Sequence, residues 1–367
     1  MRTQSKFRLL VVRLGAMGDI LHALPAVTAL RQAHPGWQID WVVEPAWVPL
    51  LTAKLGSESE IQVECGPAQP LVNAIHPAAV KSWARNPLSG KTIHEISHLR
   101  RALRTGGFDA VLDFQGAIRS ALIGCLTGCR RVIGEAVPRE RAAKWLFTER
   151  IETNGVHVIE QDVEVASAVA GDALQPVLPI LPVDPEAEAW CDALLGKAPS
   201  VGTNHTAQPI ALLNPGAGWG AKRWPVERYA AVAHGLAERG FFVVVNAGPG
   251  EVELANAVHL QSGGVALPAA CSLSQFIALT RRVNLVIAGD TGPLHLACAL
   301  GKPVVGIFGP TDPARNGPFG TRFRVLRSAV SRRDHTRREE PEAGLLTIQP
   351  ADVLQATDEL QAEEAVR

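Results

Sequence analysis

Phe7-Arg8-Leu9-Leu10-Val11-Val12-Arg13-Leu14, then Gly15-Ala16-Met17-Gly18-Asp19, then Ile20 onward to Leu30: this stretch decides the fold. The first part is a short aliphatic run, suited to a buried strand. The two glycines let the backbone turn tightly and let a ligand approach closely. Behind them Ile20, Leu24, Val27 and Leu30 recur at helical spacing, and Pro35-Gly36 stops the helix. Strand, glycine turn and helix then repeat. Ile39 to Val43 is the next strand; Ile93, Ile96, Leu99 and Leu103 mark a helix ended by Gly106-Gly107; Ala110 to Phe114 is a strand and Ala117 to Leu126 a helix. This alternation specifies a parallel sheet covered on both faces.

Between residues 175 and 209 the texture changes: Pro176, Pro179, Pro182, Pro185, Pro199 and Pro209 interrupt regular structure, leaving room for a short helix at Glu186–Leu195. The alternation then restarts with a strand at Ile210–Leu213, a glycine-rich loop, a helix opened by Pro225 and a strand at Phe241–Val245. A helix at Leu273–Arg281, a strand at Asn284–Ala288, a helix at Pro293–Leu300 and a strand at Val304–Phe308 come next. Residues 328–345 are polar without a clean period and read as a loop, and Pro350–Glu364 reads as a helix. The chain of 367 residues thus divides into a doubly wound domain over 1–180, a second over 181–345 and a closing helix over 346–367. Its length agrees, since one core rarely organises much more than ~150–250 residues.

Thirty-six Lys and Arg balance 36 Asp and Glu, which argues against a dedicated nucleic-acid binder. No apolar run approaches the ~18–20 residues a membrane helix needs, and Arg13 interrupts the only candidate for a leader core. The cysteines at 65, 125, 129, 191, 271 and 298 are scattered, which suits reduced, mostly buried thiols and a cytoplasmic setting.

In open parallel sheets ligands bind at the strand-to-helix loops, outside the carboxyl ends of the strands. Three such loops carry chemistry. The first holds Asp19, with His22 one turn on; its G-x-x-G spacing is not the dinucleotide fingerprint. Asp19 reads either as an N-cap of its helix or as a carboxylate able to take a proton from a hydroxyl. The second, Asn214-Pro215-Gly216-Ala217-Gly218-Trp219-Gly220-Ala221-Lys222-Arg223-Trp224-Pro225, offers backbone amides and two cations, as a diphosphate requires. The third is Gly289-Asp290-Thr291-Gly292-Pro293-Leu294-His295: Thr291 and Gly292 supply hydroxyl and amide donors, and Asp290 suits a sugar hydroxyl. Glu251 after Gly248-Pro249-Gly250 is a candidate ribose partner. Lys81 and Arg85 around Trp83 could grip an anionic acceptor, and Gln115 and Arg119 lie on another strand-to-helix loop.

Taken in order, these motifs resemble the lipopolysaccharide heptosyltransferase family, type I more than type II, over nearly the whole chain. Val12-Arg13-Leu14-Gly15-Ala16-Met17-Gly18-Asp19-Ile20-Leu21-His22, Asp40-Trp41-Val42-Val43-Glu44, Lys222-Arg223-Trp224-Pro225, Asp290-Thr291-Gly292 with His295, and Phe308-Gly309-Pro310-Thr311-Asp312-Pro313 carry the likeness. It implies a GT-B architecture, two Rossmann-like domains facing across a cleft. It implies ADP-L-glycero-D-manno-heptose as donor and the 3-deoxy-D-manno-octulosonic acid (Kdo) of Kdo–lipid A as acceptor. Asp19 would be the general base; Lys222, Glu251, Asp290, Thr291, Gly292 and His295 the donor side; Lys81, Arg85, Gln115 and Arg119 the acceptor side. No cofactor or obligatory metal is expected, and contact with the membrane would be peripheral, from the cytoplasmic face. Two departures stand out: Lys81-Ser82-Trp83-Ala84-Arg85 is less basic than the family's cluster, and Gln161-Asp162-Val163-Glu164 replaces a His-x-Val-Glu pattern. A related transferase with another donor or acceptor, and a non-catalytic nucleotide-sugar binder, are the competing readings.

Overall fold

The computed structural model describes residues 6–53, 65–196, 208–333 and 338–365. Pro199 and positions 334–337 of the polar stretch lie outside these. Contacts divide the chain into two units, Met1–Val183 and Asp184–Arg367.

Each unit is built on six parallel strands. In the first, β1 (Arg8–Val12), β2 (Gln38–Val43), β3 (Ala74–Pro77), β4 (Ala110–Asp113), β5 (Val132–Glu135) and β6 (Glu149–Ile151) stand in the order β3-β2-β1-β4-β5-β6. In the second, β7 (Ile210–Asn214), β8 (Phe242–Ala247), β9 (Ala266–Ala270), β10 (Leu285–Gly289), β11 (Val304–Phe308) and β12 (Phe323–Arg327) stand in the order β12-β11-β10-β7-β8-β9. Numbered from its own first strand, each sheet has the doubly wound 3-2-1-4-5-6 order. The order reverses between β1 and β4 in one unit and between β7 and β10 in the other. Those two switch points are where a ligand can enter past the strand ends.

Helices α1 (Met17–Ala33), α2 (Val80–Arg85), α3 (Gly90–Thr105), α4 (Ile118–Leu126) and α5 (Val158–Ala170) belong to the first unit. The second contains α6 (Pro185–Leu195), α7 (Val226–Glu238), α8 (Val252–Gln261), α9 (Leu273–Arg282), α10 (Gly292–Ala299), α11 (Pro313–Asn316) and α12 (Pro350–Ala365). Helix α1 is buried along most of its length and packs on α5, where His22 meets His157 edge to face with ring centroids 5.7 Å apart. His22 is therefore a packing residue. Helix α12 sends Val353, Ala356 and Leu360 into the second unit's core and is tied down by Arg239–Asp358 (2.7 Å) and Arg324–Glu359 (2.8 Å). Helix α6 is anchored to α9 through Arg281–Glu188 (2.9 Å), Arg282–Asp192 (2.7 Å) and Arg282–Glu188.

The strands with continuous apolar runs are the central ones. Sequence reading does not find β3, β5, β6, β9 and β12, four of which are sheet edges and the fifth the neighbour of one. Edge strands tolerate Pro77, Pro268, Arg150 and Arg324 because one side of the ladder is unpaired, so their apolar signal is diluted. The cysteines also differ from expectation. All six are free thiols, but only Cys191 and Cys298 are buried, and Cys65 and Cys125 are exposed.

Candidate active site

At the first unit's switch point the loop after β1 is held from three directions. Gly15, at φ +151°, lies under the Trp47 indole so closely that a Cβ would come within 2.8 Å of its Nε1, and only glycine fits there. Gln115, buried in the loop after β4, accepts from the backbone N–H groups of Leu14 (3.1 Å) and Gly15 (3.4 Å) through its Oε1. Arg13, also buried, donates to the Phe114 and Asp19 carbonyls and lies 3.5 Å from the Asp19 carboxylate. Asp19 is not the N-cap. Ala16 holds that position, and Asp19, three residues on, accepts the Ala16 backbone N–H at 3.0 Å. The alternative reading is thus half met: the carboxylate does satisfy a helix-end amide, yet its side chain stays 36 % exposed and able to meet an incoming hydroxyl.

Asp113, at the end of β4, was not singled out by the sequence. Its Oδ1 accepts from Gln115 N–H (2.7 Å), Gly116 N–H (2.9 Å) and Ser120 Oγ (3.1 Å), while its buried Oδ2 has no hydrogen-bond partner among the described residues. Burial pushes its carboxyl up to about 6, against the pull of those hydrogen bonds and of the Arg13 charge. It fixes the turn that presents Gln115.

The expected acceptor residues separate. Gln115 holds the Asp19 loop rather than facing outward. Arg119 is exposed on the first turn of α4. Lys81 and Arg85 are exposed on α2, where the Lys81 backbone N–H donates to Glu44 at 3.0 Å.

The second unit's switch point is tighter. Lys222 Nζ donates to Asp290 Oδ2 (2.5 Å) and to the Asp290 carbonyl (3.1 Å), and lies 5.1 Å over the Trp219 ring. His295 Nε2 is 3.2 Å from Asp290 Oδ1. Burial alone would raise the Asp290 carboxyl; the His295 hydrogen bond and the Lys222 charge outweigh it and hold the group well below the usual carboxylate range. His295 is therefore a buried residue that orients Asp290. Thr291 caps α10 by position, but its hydroxyl donates to the Gly289 carbonyl at 3.2 Å. Pro293 has no N–H, and the Leu294 and His295 N–H groups donate to the Thr291 carbonyl (3.1 and 3.4 Å), which leaves the Gly292 N–H as the helix-opening donor for an anion. Pro293 is the second residue of α10, not the first.

Glu251 follows β8 and accepts the Gly248 N–H at 3.1 Å. Its carboxylate lies against Gly216, where any Cβ would overlap it, so the glycine is what lets the loops after β7 and β8 close on each other. Two further features escaped the sequence. Cys271 Sγ donates to Asn246 Oδ1 (3.3 Å), Asn246 to Asn214 Oδ1 (2.6 Å), and Asn214 to the Gly216 carbonyl (3.1 Å), a ladder across three strand ends whose two asparagines are buried and whose cysteine is half-buried. Burial pushes the Cys271 thiol up to about 12, so it acts as a neutral donor. The polar stretch also packs on the loop that precedes Lys222: Ala221 N–H donates to the Arg338 carbonyl (3.0 Å), and Glu342 N–H to the Ala221 carbonyl (3.2 Å). Among the described residues no group of three or more His, Cys, Asp or Glu could hold a metal ion.

Two Rossmann-like units, each with polar strand-end loops at its switch point, are the building plan of GT-B glycosyltransferases. The sequence profile of glycosyltransferase family 9 (heptosyltransferase) matches residues 96–345. The chain belongs to this family and is a glycosyltransferase. It is similar to lipopolysaccharide heptosyltransferase 1 of Pseudomonas aeruginosa, with 28 % identity over 324 residues covering 85 % of this chain and 81 % of that one. The structure of Escherichia coli heptosyltransferase WaaC with ADP superposes with a TM-score of 0.75 at 25 % identity, covering 96 % of this chain and all of that one. The same enzyme with ADP-2-deoxy-2-fluoro heptose gives 0.72 at 25 % identity, covering 96 % and 99 %.

Proposed function

We propose that this protein transfers L-glycero-D-manno-heptose from ADP-heptose to the Kdo residue of Kdo–lipid A, with inversion at the anomeric carbon. The observation that carries the donor assignment is the buried Lys222–Asp290–His295 cluster at the start of α10. Lys222 has three N–H donors and directs two at Asp290, so one remains for a phosphate oxygen. The Gly292 N–H that opens α10 adds a donor at the positive end of a helix dipole. Glu251 is assigned the ribose, and Asp290, with Thr291 and Gly292, the heptose and diphosphate. The solved relatives hold ADP and an ADP-fluoroheptose, ligands of the class assigned here.

In the proposed reaction Asp19 takes the proton of the acceptor hydroxyl as its oxygen bonds to the anomeric carbon. The bond from that carbon to the diphosphate breaks on the opposite face. ADP leaves with the electron pair, and Lys222 and the opening amide of α10 stabilise the charge that develops. The Ala16 N–H and Arg13 orient the Asp19 carboxylate for this step. Lys81, Arg85 and Arg119 are assigned the outer, anionic part of the acceptor. No helix among the described residues is long and apolar enough to cross a membrane, and the proposed contact with the lipid acceptor is peripheral, from the cytoplasmic side.

Purified protein offered a panel of nucleotide sugars, with and without Kdo–lipid A, tests the reading. The expected result is transfer from ADP-heptose alone, only when Kdo is present, with inverted anomeric configuration by NMR and unchanged turnover in EDTA. Faster transfer from another nucleotide sugar, or to an acceptor lacking Kdo, would overturn it.

A further inference from the structure

The polar stretch between β12 and α12 is built onto the second unit's switch point. Its residues 338–342 form a strap along the loop that carries Lys222. Ala221, the residue before Lys222, gives its N–H to the Arg338 carbonyl (3.0 Å) and receives the Glu342 N–H at its own carbonyl (3.2 Å). The Ala221 amide is thereby taken and is not a phosphate donor. Gly220, buried one residue earlier, faces the Glu339 carbonyl so closely that any Cβ would overlap it. Strap and loop can meet only because residue 220 has no side chain.

Glu342 fixes the strap at its far end. Its Oε2 accepts from Ser331 Oγ (2.9 Å) and from the Leu345 N–H (2.9 Å), and Leu345 is buried in the second unit's core. Burial alone would raise the Glu342 carboxyl; the Gly344 N–H, the Ser331 hydroxyl and the Leu345 and Arg332 N–H groups outweigh it and hold the group below its ordinary value. Arg327 on β12 joins the strap to the next loop. It donates from Nη2 to the Ser331 carbonyl (2.9 Å) and from Nε to the Gly309 and Thr311 carbonyls (3.2 Å each). Gly309 follows β11, Ala221 belongs to the loop after β7, and β10 stands between those two strands in the sheet. One segment thus ties together the loops on either side of the strand that leads into Asp290. Slack in it passes to Lys222, whose ammonium must meet Asp290 and a ligand at once, and hydrogen bonds weaken steeply when misaligned.

We propose that Glu342 is a positioning residue for the donor diphosphate: anchored on Ser331 and Leu345, it holds the Ala221 peptide and so sets where the Lys222 ammonium meets a phosphate oxygen. Glu342 does not itself touch the ligand. The inference rests on the assignment of a nucleoside diphosphate to this site, and adds to it a residue far along the chain that sets how tightly the phosphates are held.

The test uses the full chain and measures ADP and adenosine binding by calorimetry in wild type, Glu342→Ala, Glu342→Gln and Gly220→Ala. Adenosine carries no phosphate, so it reports a folded nucleoside site without Lys222. ADP affinity of Glu342→Ala should fall ~10-fold, the order expected when a hydrogen bond between charged groups is weakened, with adenosine affinity within about twofold of wild type. Glu342→Gln keeps an acceptor oxygen for Ser331 or Leu345 and should recover most of the loss. Gly220→Ala, whose methyl must displace the Glu339 carbonyl, should show the same phosphate-selective loss. ADP binding by Glu342→Ala within about twofold of wild type overturns the proposal. An equal loss for ADP and adenosine, the mark of a residue that only supports the fold, overturns it too. Wild type that binds ADP no more tightly than adenosine would instead overturn the diphosphate reading on which the proposal stands.

Discussion

The two switch points share a strand order and differ in how they hold charge. In the first unit the Asp19 carboxylate is 36 % exposed, with one backbone N–H at 3.0 Å and a guanidinium at 3.5 Å. In the second, Asp290 is 7 % exposed and is clamped by Lys222 on one oxygen and faced by His295 on the other. A group that must gain and lose a proton needs access and a moderate field. A group that organises a cation for binding can be sealed, because its charge never changes during the reaction. The fold supplies both from one plan, by varying the loops after the first and fourth strands of each sheet.

Breaking the tight side has the largest expected effect. Lys222→Ala leaves Asp290 buried with a single partner, and removing one member of a buried pair costs about 3–5 kcal/mol. Urea unfolding at pH 7 should show that loss, and adding Asp290→Asn should recover much of it. Equal stability of wild type and Lys222→Ala would mean the pair is not buried as described.

Asp113 sharpens the contrast from the other side. Its carboxyl titrates at about 6 in the folded protein, against ~3.9 for an ordinary aspartate in an unfolded chain. The folded state thus holds this proton more tightly. Its contribution is fully present below ~pH 4 and is lost as pH rises through about 6, roughly 3 kcal/mol in total. Asp113→Asn should remove that slope between pH 4 and 7 in unfolding titrations of the first unit's signal. Parallel pH profiles for variant and wild type would contradict it.

Gln115 gives the smallest effect. Gln115→Leu strips the acceptor from the Leu14 and Gly15 amides, worth about 1–2 kcal/mol. Misplacement of the Asp19 loop should lower kcat about tenfold. ADP affinity, here assigned to the other unit, should stay unchanged. A fall in Tm with no change in kcat would make Gln115 structural only.

Legibility in the sequence tracks burial. Central strands read clearly because both faces are covered and the runs are apolar. The loops of Asp19, Lys222 and Asp290 read clearly because glycine and charge come directly after such runs. The Asn214–Asn246–Cys271 ladder was invisible: each residue is a lone polar side chain at a different strand end, and only the sheet brings them together. The packing of 338–342 on Ala221 runs through backbone atoms and leaves no side-chain pattern. Lys81 and Arg85 read as a cluster with Trp83, but α2 has only six residues, too few for periodicity to show that the indole and the cations face apart.

The division of labour between the units rests on Asp19. The decisive measurement is the single-turnover rate of heptose transfer from ADP-heptose to Kdo–lipid A by Asp19→Asn, with ADP binding to the same protein measured by calorimetry. A loss of about 10²–10⁴-fold in rate, with ADP affinity as in wild type, is the expected result for a general base that acts on the acceptor hydroxyl and does not bind ADP. A rate within about threefold of wild type would contradict it, as would an equal loss in rate and ADP affinity.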